Sequence, residues 1–183
     1  MRKFHEIFGR LGNSMFQGAY IYAQMRRKEI PDIFIQGESY FEEYKEGVKK
    51  LYGDGIIPKS FPWTAIHVRR GDYVDNSFYV DLFKDGYYER AMAEFPDAKF
   101  MVFSDDVEWC RRQETFKDCM FSQGNSEVID MNLMASCSGI IIANSSFSWW
   151  AAYLGEHNKV IAPGKWFTDG MQRVELPANW KQI

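Results

Sequence analysis

From residue 64 onward, short apolar segments alternate with segments of helical periodicity, and this alternation constrains the fold more than any other feature. The predicted strands cover residues 64–68, 99–103, 119–122, 140–143 and 160–162, and the predicted helices cover 87–95, 107–115, 128–137 and 147–154. Strands this short and apolar are typical of a parallel sheet that helices cover on both faces. Because crossovers between parallel strands are right-handed, we predict a doubly wound, Rossmann-type α/β lobe.

The start of the chain carries a weaker pattern of the same kind. Strands are predicted at 3–8 and 32–36 and helices at 14–27 and 38–51, with a glycine-containing turn at 9–13. Prolines and glycines concentrate at 53–62, which predicts a boundary there. The chain is therefore divided into a reduced N-terminal α/β lobe, residues 1–62, and a Rossmann-like lobe, residues 63–183. Two tryptophans in the tail, residues 164–183, are expected to pack back on the body.

Charge and composition exclude several classes of function. The 183 residues carry a net charge of −3 with scattered lysines and arginines, so the sequence lacks the basic face of a nucleic-acid-binding protein. Three cysteines without a CxxC pair predict neither a disulfide framework nor structural zinc, which favours a reducing, cytoplasmic setting. The N-terminus lacks the apolar core of a signal peptide, and the longest strongly apolar run, at 140–143, is too short to cross a bilayer. Peripheral attachment to a membrane surface stays open.

A polar segment, His67-Val68-Arg69-Arg70-Gly71-Asp72, comes where the predicted strand 64–68 ends. Ligands of open parallel sheets bind beyond the carboxyl ends of the strands. One arginine can hold a phosphate with two parallel hydrogen bonds, and the other can pair with Asp72 or pack structurally. The alternative is a salt bridge on a turn that binds no ligand, and spacing alone does not separate the two.

A second polar segment, Asn144-Ser145-Ser146-Phe147-Ser148, follows the apolar strand at 140–143 and opens a predicted helix. Serine and asparagine cap helix starts, and the amides of a helix start also bind phosphate. A plain cap is the commoner explanation for such residues. Two polar strand ends in one sheet nevertheless favour a shared diphosphate site.

Acidic residues near these strand ends admit two interpretations. Asp130 falls in the first turn of a predicted helix, where the helix dipole favours an acid. Asp105 and Asp106 follow the strand at 99–103 and invite a divalent metal, but adjacent acids at a strand–helix junction are more often caps. The three histidines show no metal-ligand spacing. We therefore predict no metal site.

The chain contains, in this order, the segments GRLGNSMFQGAYIYA, HVRRGDYV, FSDDVEWC and IIANSSFSWWAAYL. Together they resemble the α-1,2-fucosyltransferase family, glycosyltransferase family 11. The resemblance implies a GT-B-like fold, in which two Rossmann-like lobes hold the donor in a cleft. It implies inverting transfer of L-fucose from the donor substrate GDP-fucose to a glycan acceptor, with an α-1,2 link to galactose. It also implies that no metal or other cofactor is needed.

The resemblance implies catalytic and structural roles for residues at the first two segments. Arg69 is implied to grip the diphosphate, and Asn13, in the glycine turn, to face the reacting sugar. These two are the implied catalytic residues. Arg70 and Asp72 are implied to order the loop that carries Arg69.

The other implied site residues bind the donor. The resemblance places His67 and Asp130 on the guanosine part. It places Ser145 and Ser146 on the phosphates, through hydroxyl and amide groups, and it includes Phe147 in the same donor-binding set.

The sequence departs from the family between Asn13 and His67. Only 54 positions separate them (67 minus 13), where family members carry a longer stretch, so we expect a reduced acceptor-side lobe. Ser14 stands where glutamine is usual. The catalytic base is left unassigned between Asp72 and Glu38. The alternative function is a non-catalytic or differently specific GDP-sugar-binding protein.

Overall fold

The computed structural model describes residues 11–27, 36–57, 59–171 and 173–183. The helices are α1 Leu11–Arg27, α2 Lys45–Tyr52, α3 Tyr87–Ala93, α4 Val107–Arg111, α5 Glu127–Ser136 and α6 Ser146–Gly155. The strands are β1 Phe61–Val68, β2 Lys99–Ser104, β3 Met120–Phe121, β4 Cys137–Ile141, β5 Val160–Ala162 and β6 Lys181–Gln182. Short 3-10 helices lie at Glu38–Tyr40, Glu42–Tyr44, Gly71–Tyr73 and Glu114–Phe116. The strand predicted at 3–8, and all but the last residue of the strand predicted at 32–36, lie outside the described residues.

The six strands form one parallel sheet in the order β3-β2-β1-β4-β5-β6. β1 is central: its Ala65 is in register with Met101 of β2 on one side and with Ile140 of β4 on the other. The last five residues of β1 are buried, which agrees with a strand covered on both faces. The predicted α/β, Rossmann-type parallel sheet is therefore confirmed.

Side chains of β1 alternate between two hydrophobic clusters, one on each face of the sheet. Ala65 belongs to the cluster formed with α1, α2, α5 and α6, whereas Ile66 and Val68 belong to the cluster formed with α3 and α4. On α3 the hydroxyl of the buried Tyr87 donates to the carbonyl of Ile142 at 2.8 Å. Helices thus cover both faces, as the alternation of the sequence predicts.

The helix predicted at 38–51 is wrong in its first half. The structure has two 3-10 turns there, followed by α2. Phe41, between the two turns, is buried and stacks on Trp150 of α6, with ring centroids 5.6 Å apart and planes at 14°. An aromatic anchor at this point interrupts the polar segment, so a continuous helix does not form.

The C-terminal tail packs back on the body, as predicted, because Trp166 and Trp180 are both buried. The tail also adds β6, which has no counterpart among the predicted strands. Lys181 and Gln182 are exposed, and β6 is held by its backbone pairing with β5. Two polar residues carry no apolar pattern, so sequence periodicity could not reveal this strand.

α1 begins at Leu11, so the turn predicted at 9–13 is helical from that residue onward. Phe16 of α1 contacts both tryptophans at the middle of α6, with ring centroids 4.6 Å from Trp149 and 4.8 Å from Trp150. α1 and α2 therefore share one core with α5 and α6. The boundary predicted at 62 falls inside β1. The two-lobe division itself stays a prediction, since the strands predicted for the first lobe lie largely outside the described residues.

Gly12 permits a close approach between α1 and the first residues of α6. A Cβ at this position would lie 2.5 Å from both the backbone nitrogen of Phe147 and the carbonyl carbon of Ser146. No side chain fits at that distance without moving a backbone. Glycine is therefore required at position 12 because two helices touch there, and not because the chain turns.

Gly12→Ala is expected to lower the free energy of unfolding by about 1–3 kcal/mol, the usual cost of forcing extra atoms into a packed contact. Gly18→Ala in the same helix is the control, because the nearest atom to its Cβ is the terminal hydroxyl oxygen of Tyr52, which can swing aside. Urea denaturation compares the two variants. An equal loss at both positions would contradict the close helix contact.

Candidate functional site

A cleft opens where the strand order of the sheet reverses. β1 leads to β2 and β3 on one side, while β4, on its other side, leads to β5 and β6. Loops after β1 and β4 therefore diverge, and parallel α/β proteins bind ligands at such a switch point. The cleft measures about 350 Å³. It is lined by Gly12, Asn13, His67, Arg69, Asp72, Phe103, Ser104, Asp105, Asn125, Glu127, Asp130, Ser145, Ser146 and Phe147.

Eight of the nine predicted site residues line this cleft. They are Asn13, His67, Arg69, Asp72, Asp130, Ser145, Ser146 and Phe147. Arg70 is the exception. The base candidate Glu38 is also elsewhere: it accepts a hydrogen bond from the hydroxyl of Tyr153, near the opposite end of α6, at 3.0 Å. Of the two base candidates, only Asp72 is brought to the cleft.

The Arg69 guanidinium lies between two carboxylates. Its Nη1 lies 2.7 Å from Oδ2 of Asp105 in a salt bridge, and its Nη2 pairs with Oδ1 of Asp72. The side chain is only 10% exposed, and its guanidinium carbon lies 5.3 Å from the ring centroid of Tyr73. An arginine held in this way presents its N–H groups to an anion in a fixed direction.

Asp72 therefore pairs with Arg69, whereas the sequence had left a pairing with Arg70 open. The pair joins residues three apart, with Asp72 in the 3-10 turn Gly71–Tyr73 and Arg69 before the residue that caps this turn. Arg70 instead stacks on the ring of Trp109, with its guanidinium carbon 3.7 Å from the ring centroid. Its backbone N–H donates to Oδ1 of Asp105 at 2.8 Å. Arg70 thus packs structurally, and Asp105 joins both arginines.

The start of α6 and the first helix meet at Asn13. Ser145 caps α6, since its Oγ accepts from the N–H of Phe147 at 3.3 Å. The hydroxyl of Ser146 donates to Oδ1 of Asn13 at 2.7 Å, and Nε2 of Gln36 donates to the same oxygen at 2.9 Å. With Oδ1 engaged twice, Nδ2 is the donor that Asn13 offers to a ligand. Gln36 is absent from the predicted set because a single glutamine carries no motif.

His67 is a buried, neutral histidine. Burial lowers the pKa of His67 to about 3, and the nearby charge of Arg69 contributes in the same direction. Its ring lies beside that of Phe147, with centroids 5.3 Å apart. Its Nδ1 has no hydrogen-bond partner among the described residues. An uncharged ring next to a phenyl group suits contact with a nucleoside better than contact with a phosphate.

Asp130 belongs to a small hydrogen-bonded network at the cleft. Its Oδ1 accepts from the hydroxyl of Ser122 at 2.6 Å and from Nδ2 of Asn125 at 3.1 Å. Asn125 also donates to Oγ of Ser122 at 3.0 Å, which closes the triangle. A carboxylate oriented by two donors can accept from N–H or O–H groups of a ligand. Ser122 and Asn125 lie in a loop without a recognisable motif, so sequence reasoning missed them.

The acid pair after β2 has structural partners. Asp106 caps α4, accepting from the N–H of Trp109 at 3.1 Å, so the predicted cap is confirmed. Asp105 binds Arg69 and Arg70, as described above. Within the described ranges, no cluster of three or more histidine, cysteine or acidic side chains is arranged to hold a metal ion. Independence from metal stays a prediction. In the same part of the chain, no helix combines the length and the apolar character needed to cross a membrane.

A doubly wound parallel sheet with an arginine and a capped helix start at its switch point places the chain in the class of α/β proteins that bind a ligand beyond the carboxyl ends of their strands. Comparison with known families agrees with this class. The family model described as Glycosyl transferase family 11 matches residues 20–182. The chain therefore belongs to glycosyl transferase family 11.

Characterised relatives cover most of the chain. The alpha-1,2-colitosyltransferase of Escherichia coli is 34% identical over 185 positions, covering 82% of this chain and 61% of that protein. The O-antigen biosynthesis glycosyltransferase WbnK of Escherichia coli is 39% identical, covering 68% of this chain and 46% of that protein. The galactoside 2-alpha-L-fucosyltransferase Sec1 of Mus musculus is 34% identical, covering 70% and 38%. The chain thus spans 38% to 61% of the length of these relatives.

Two buried histidines should make the protein sensitive to acid. Burial lowers the pKa of His67 to about 3 and that of His157 to about 4, from an ordinary value of 6.5. The unfolded chain then binds more protons, so this stability is complete above about pH 6.5 and is lost as the pH falls toward these values. The slope is about 1.4 kcal/mol per pH unit for each histidine.

His67→Gln and His157→Gln should each remove about 1.4 kcal/mol per pH unit between about pH 6 and pH 5, which is half of the combined slope of the two histidines. Urea denaturation at several pH values measures it. Carboxylates with ordinary pKa values are still largely ionised in this window, so they contribute little. A parent protein whose stability does not change from pH 7 to pH 5 would show that the two imidazoles are not buried in the neutral form.

Proposed function

We propose that this chain is an inverting glycosyltransferase that moves L-fucose from GDP-fucose to a glycan hydroxyl, with an α-1,2 link to galactose. The observation that carries the proposal is the meeting of eight residues, from four separate segments, in one cleft at the switch point of the sheet. A relative is named as a galactoside 2-alpha-L-fucosyltransferase, which supports the same reaction class. The acceptor glycan is proposed to be presented in solution or at a membrane surface.

The donor is proposed to lie across the cleft with its diphosphate between Arg69 and the start of α6. Arg69 supplies a fixed cation, and the first-turn amides of a capped helix supply aligned dipoles. The guanosine is proposed to lie toward His67 and Phe147, with the oriented carboxylate of Asp130 accepting from its N–H or O–H groups. Each partner thus matches one chemical part of the donor.

Transfer needs stabilisation of the GDP leaving group as its negative charge develops. Arg69 and the start of α6 can provide this without reorganising, since both are already held in place. Asn13 is proposed to orient the reacting sugar through its Nδ2 group. Asp72 is the acid of the two candidates that lines the cleft, and it is proposed to take the proton of the acceptor hydroxyl.

A different sugar on the same donor site is the second candidate. The relative that covers 82% of the chain is named as a colitosyltransferase, not a fucosyltransferase. The short stretch between Asn13 and His67 also keeps a non-catalytic GDP-sugar binder among the outcomes. Calorimetry with GDP-fucose, GDP-colitose and GDP-mannose, followed by a transfer assay against galactosides, separates these candidates.

Arg69→Ala should weaken GDP binding and nearly abolish transfer, through a loss of roughly 2–4 kcal/mol by analogy with removal of an oxyanion donor. Arg69→Lys should be intermediate, since lysine keeps the charge but loses the planar fork. Arg70→Ala is the matched control: it should lower the melting temperature by removing the stack on Trp109 and leave GDP affinity close to that of the parent. Calorimetry and circular dichroism measure both. Loss of GDP binding in Arg70→Ala with an intact fold would mean that the roles of the arginines are reversed.

Donor binding and transfer should survive an excess of EDTA. The acids after β2 already have partners, Asp106 as the cap of α4 and Asp105 on the arginines. Binding of GDP-fucose is measured with and without the chelator, and then with added manganese. Loss of binding with EDTA and its recovery with manganese would show that these acids hold a metal.

A further inference from the structure

The two carboxylates on Arg69 differ in how firmly they are held. Asp105 has a side chain that is 24% exposed. Its Oδ2 forms a salt bridge with Nη1 of Arg69 at 2.7 Å, and its Oδ1 accepts from the backbone N–H of Arg70 at 2.8 Å. Asp72 has a side chain that is 62% exposed, and its carboxylate meets Nη2 of Arg69. One acid bridges two residues and has the less exposed side chain, whereas the other reaches the arginine from solvent.

In the guanidinium of Arg69, Nη2 is the nitrogen at which Asp72 and a diphosphate would compete. An anion can take two parallel hydrogen bonds at either of two edges, Nη1 with Nη2 or Nε with Nη2. Both edges include Nη2. A diphosphate that binds Arg69 bidentately can leave Asp105 on Nη1 by using the Nε edge. It then shares the two hydrogens of Nη2 with Asp72, so two like charges would meet at one nitrogen.

We propose that Asp72 is a displaceable occupant of the phosphate position on Arg69, and that Asp105 is the positioning residue that holds the arginine while the exchange takes place. The proposal rests on the proposed function, since it requires a diphosphate ligand in this cleft. The proposal predicts opposite effects on GDP binding for the two aspartates that contact the Arg69 side chain.

The exchange needs only a side-chain rotation, because the backbone around Asp72 is anchored. Its neighbour Tyr73 stacks on Tyr79, with ring centroids 3.7 Å apart and planes at 9°. The hydroxyl of Tyr73 also donates to the carbonyl of Asn144 at 3.1 Å. The carboxylate of Asp72 can turn into water while the loop stays in place, and an ion pair whose carboxylate is 62% exposed is weak enough for a dianion to replace.

Asp72→Asn should tighten GDP binding about two- to five-fold, since it weakens an exposed ion pair that competes with the ligand. Asp105→Asn should weaken GDP binding about ten-fold, because its amide still accepts from the Arg70 N–H but turns a donor toward Nη1 of Arg69. Asp97→Asn, an exposed acid between α3 and β2, is the charge-matched control and should change nothing. Calorimetry with GDP measures the four proteins, and circular dichroism checks their folding.

Guanosine lacks phosphates, so its binding, measured by competition, distinguishes the two explanations. A general structural defect would weaken guanosine binding, whereas a defect limited to Arg69 would not. Asp105→Asn should bind guanosine like the parent, because Arg69 acts only on the diphosphate. Weaker guanosine binding in Asp105→Asn would assign Asp105 to the fold rather than to Arg69. Tighter GDP binding in both variants would mean that the effect comes from net charge alone, and it would contradict the proposal.

Asp72→Asn keeps the proposal testable even if Asp105→Asn fails to fold, because Asp72 is exposed. Unchanged or weaker GDP binding in Asp72→Asn overturns its role as a displaceable occupant. If the parent itself binds neither GDP nor inorganic pyrophosphate, the proposed function fails instead, and the two failures are thus distinguishable.

Discussion

The packing of α6 between the sheet and the N-terminal helix determines where the rest of the molecule lies. Trp149 and Trp150 are fully buried there, and Phe16 and Phe41 pack against them from two other segments. Truncating a buried aromatic of this size costs about 3–5 kcal/mol, so this contact dominates the core. The same helix starts at the cleft with the cap of Ser145. Its burial therefore stabilises the fold and also fixes the end of the cleft at which the diphosphate is proposed to bind.

Most of the fold could be predicted because apolar runs carry it. The segments at 64–68, 99–103 and 160–162 are strands of the parallel sheet, since burial on both faces demands such runs. The prediction failed where backbone or a single anchor decides the structure. β6 pairs through its main chain, and the ring of Phe41 interrupts a helix that polar spacing favours. Neither effect leaves a periodic signal.

The sequence could predict which residues form the site, but not which of them contact one another. Distinctive segments identified the family residues, and the switch point of the sheet brings eight of the nine into one cleft. Which acid pairs with which arginine depends on the local backbone that follows β1, which adjacent residues in the sequence do not specify. The partners of Asn13 and Asp130 include Gln36 and Ser122, which come from loops and follow no motif. Such residues are found only when their coordinates are known.

Gly12 and Asn13 contact the start of α6. This contact, rather than the length of the chain between Asn13 and His67, sets where Asn13 lies in the cleft. Asn13 is fixed by a hydrogen bond to Ser146, a residue 133 positions away in sequence, and by the helix packing beside it. His67 is fixed independently by β1. The connection between α1 and β1 can therefore change in length without moving either residue, provided that Gln36 keeps its hydrogen bond to Asn13. Under the proposed function, this connection is the part of the chain that can vary with the acceptor while the proposed donor-binding residues keep their geometry.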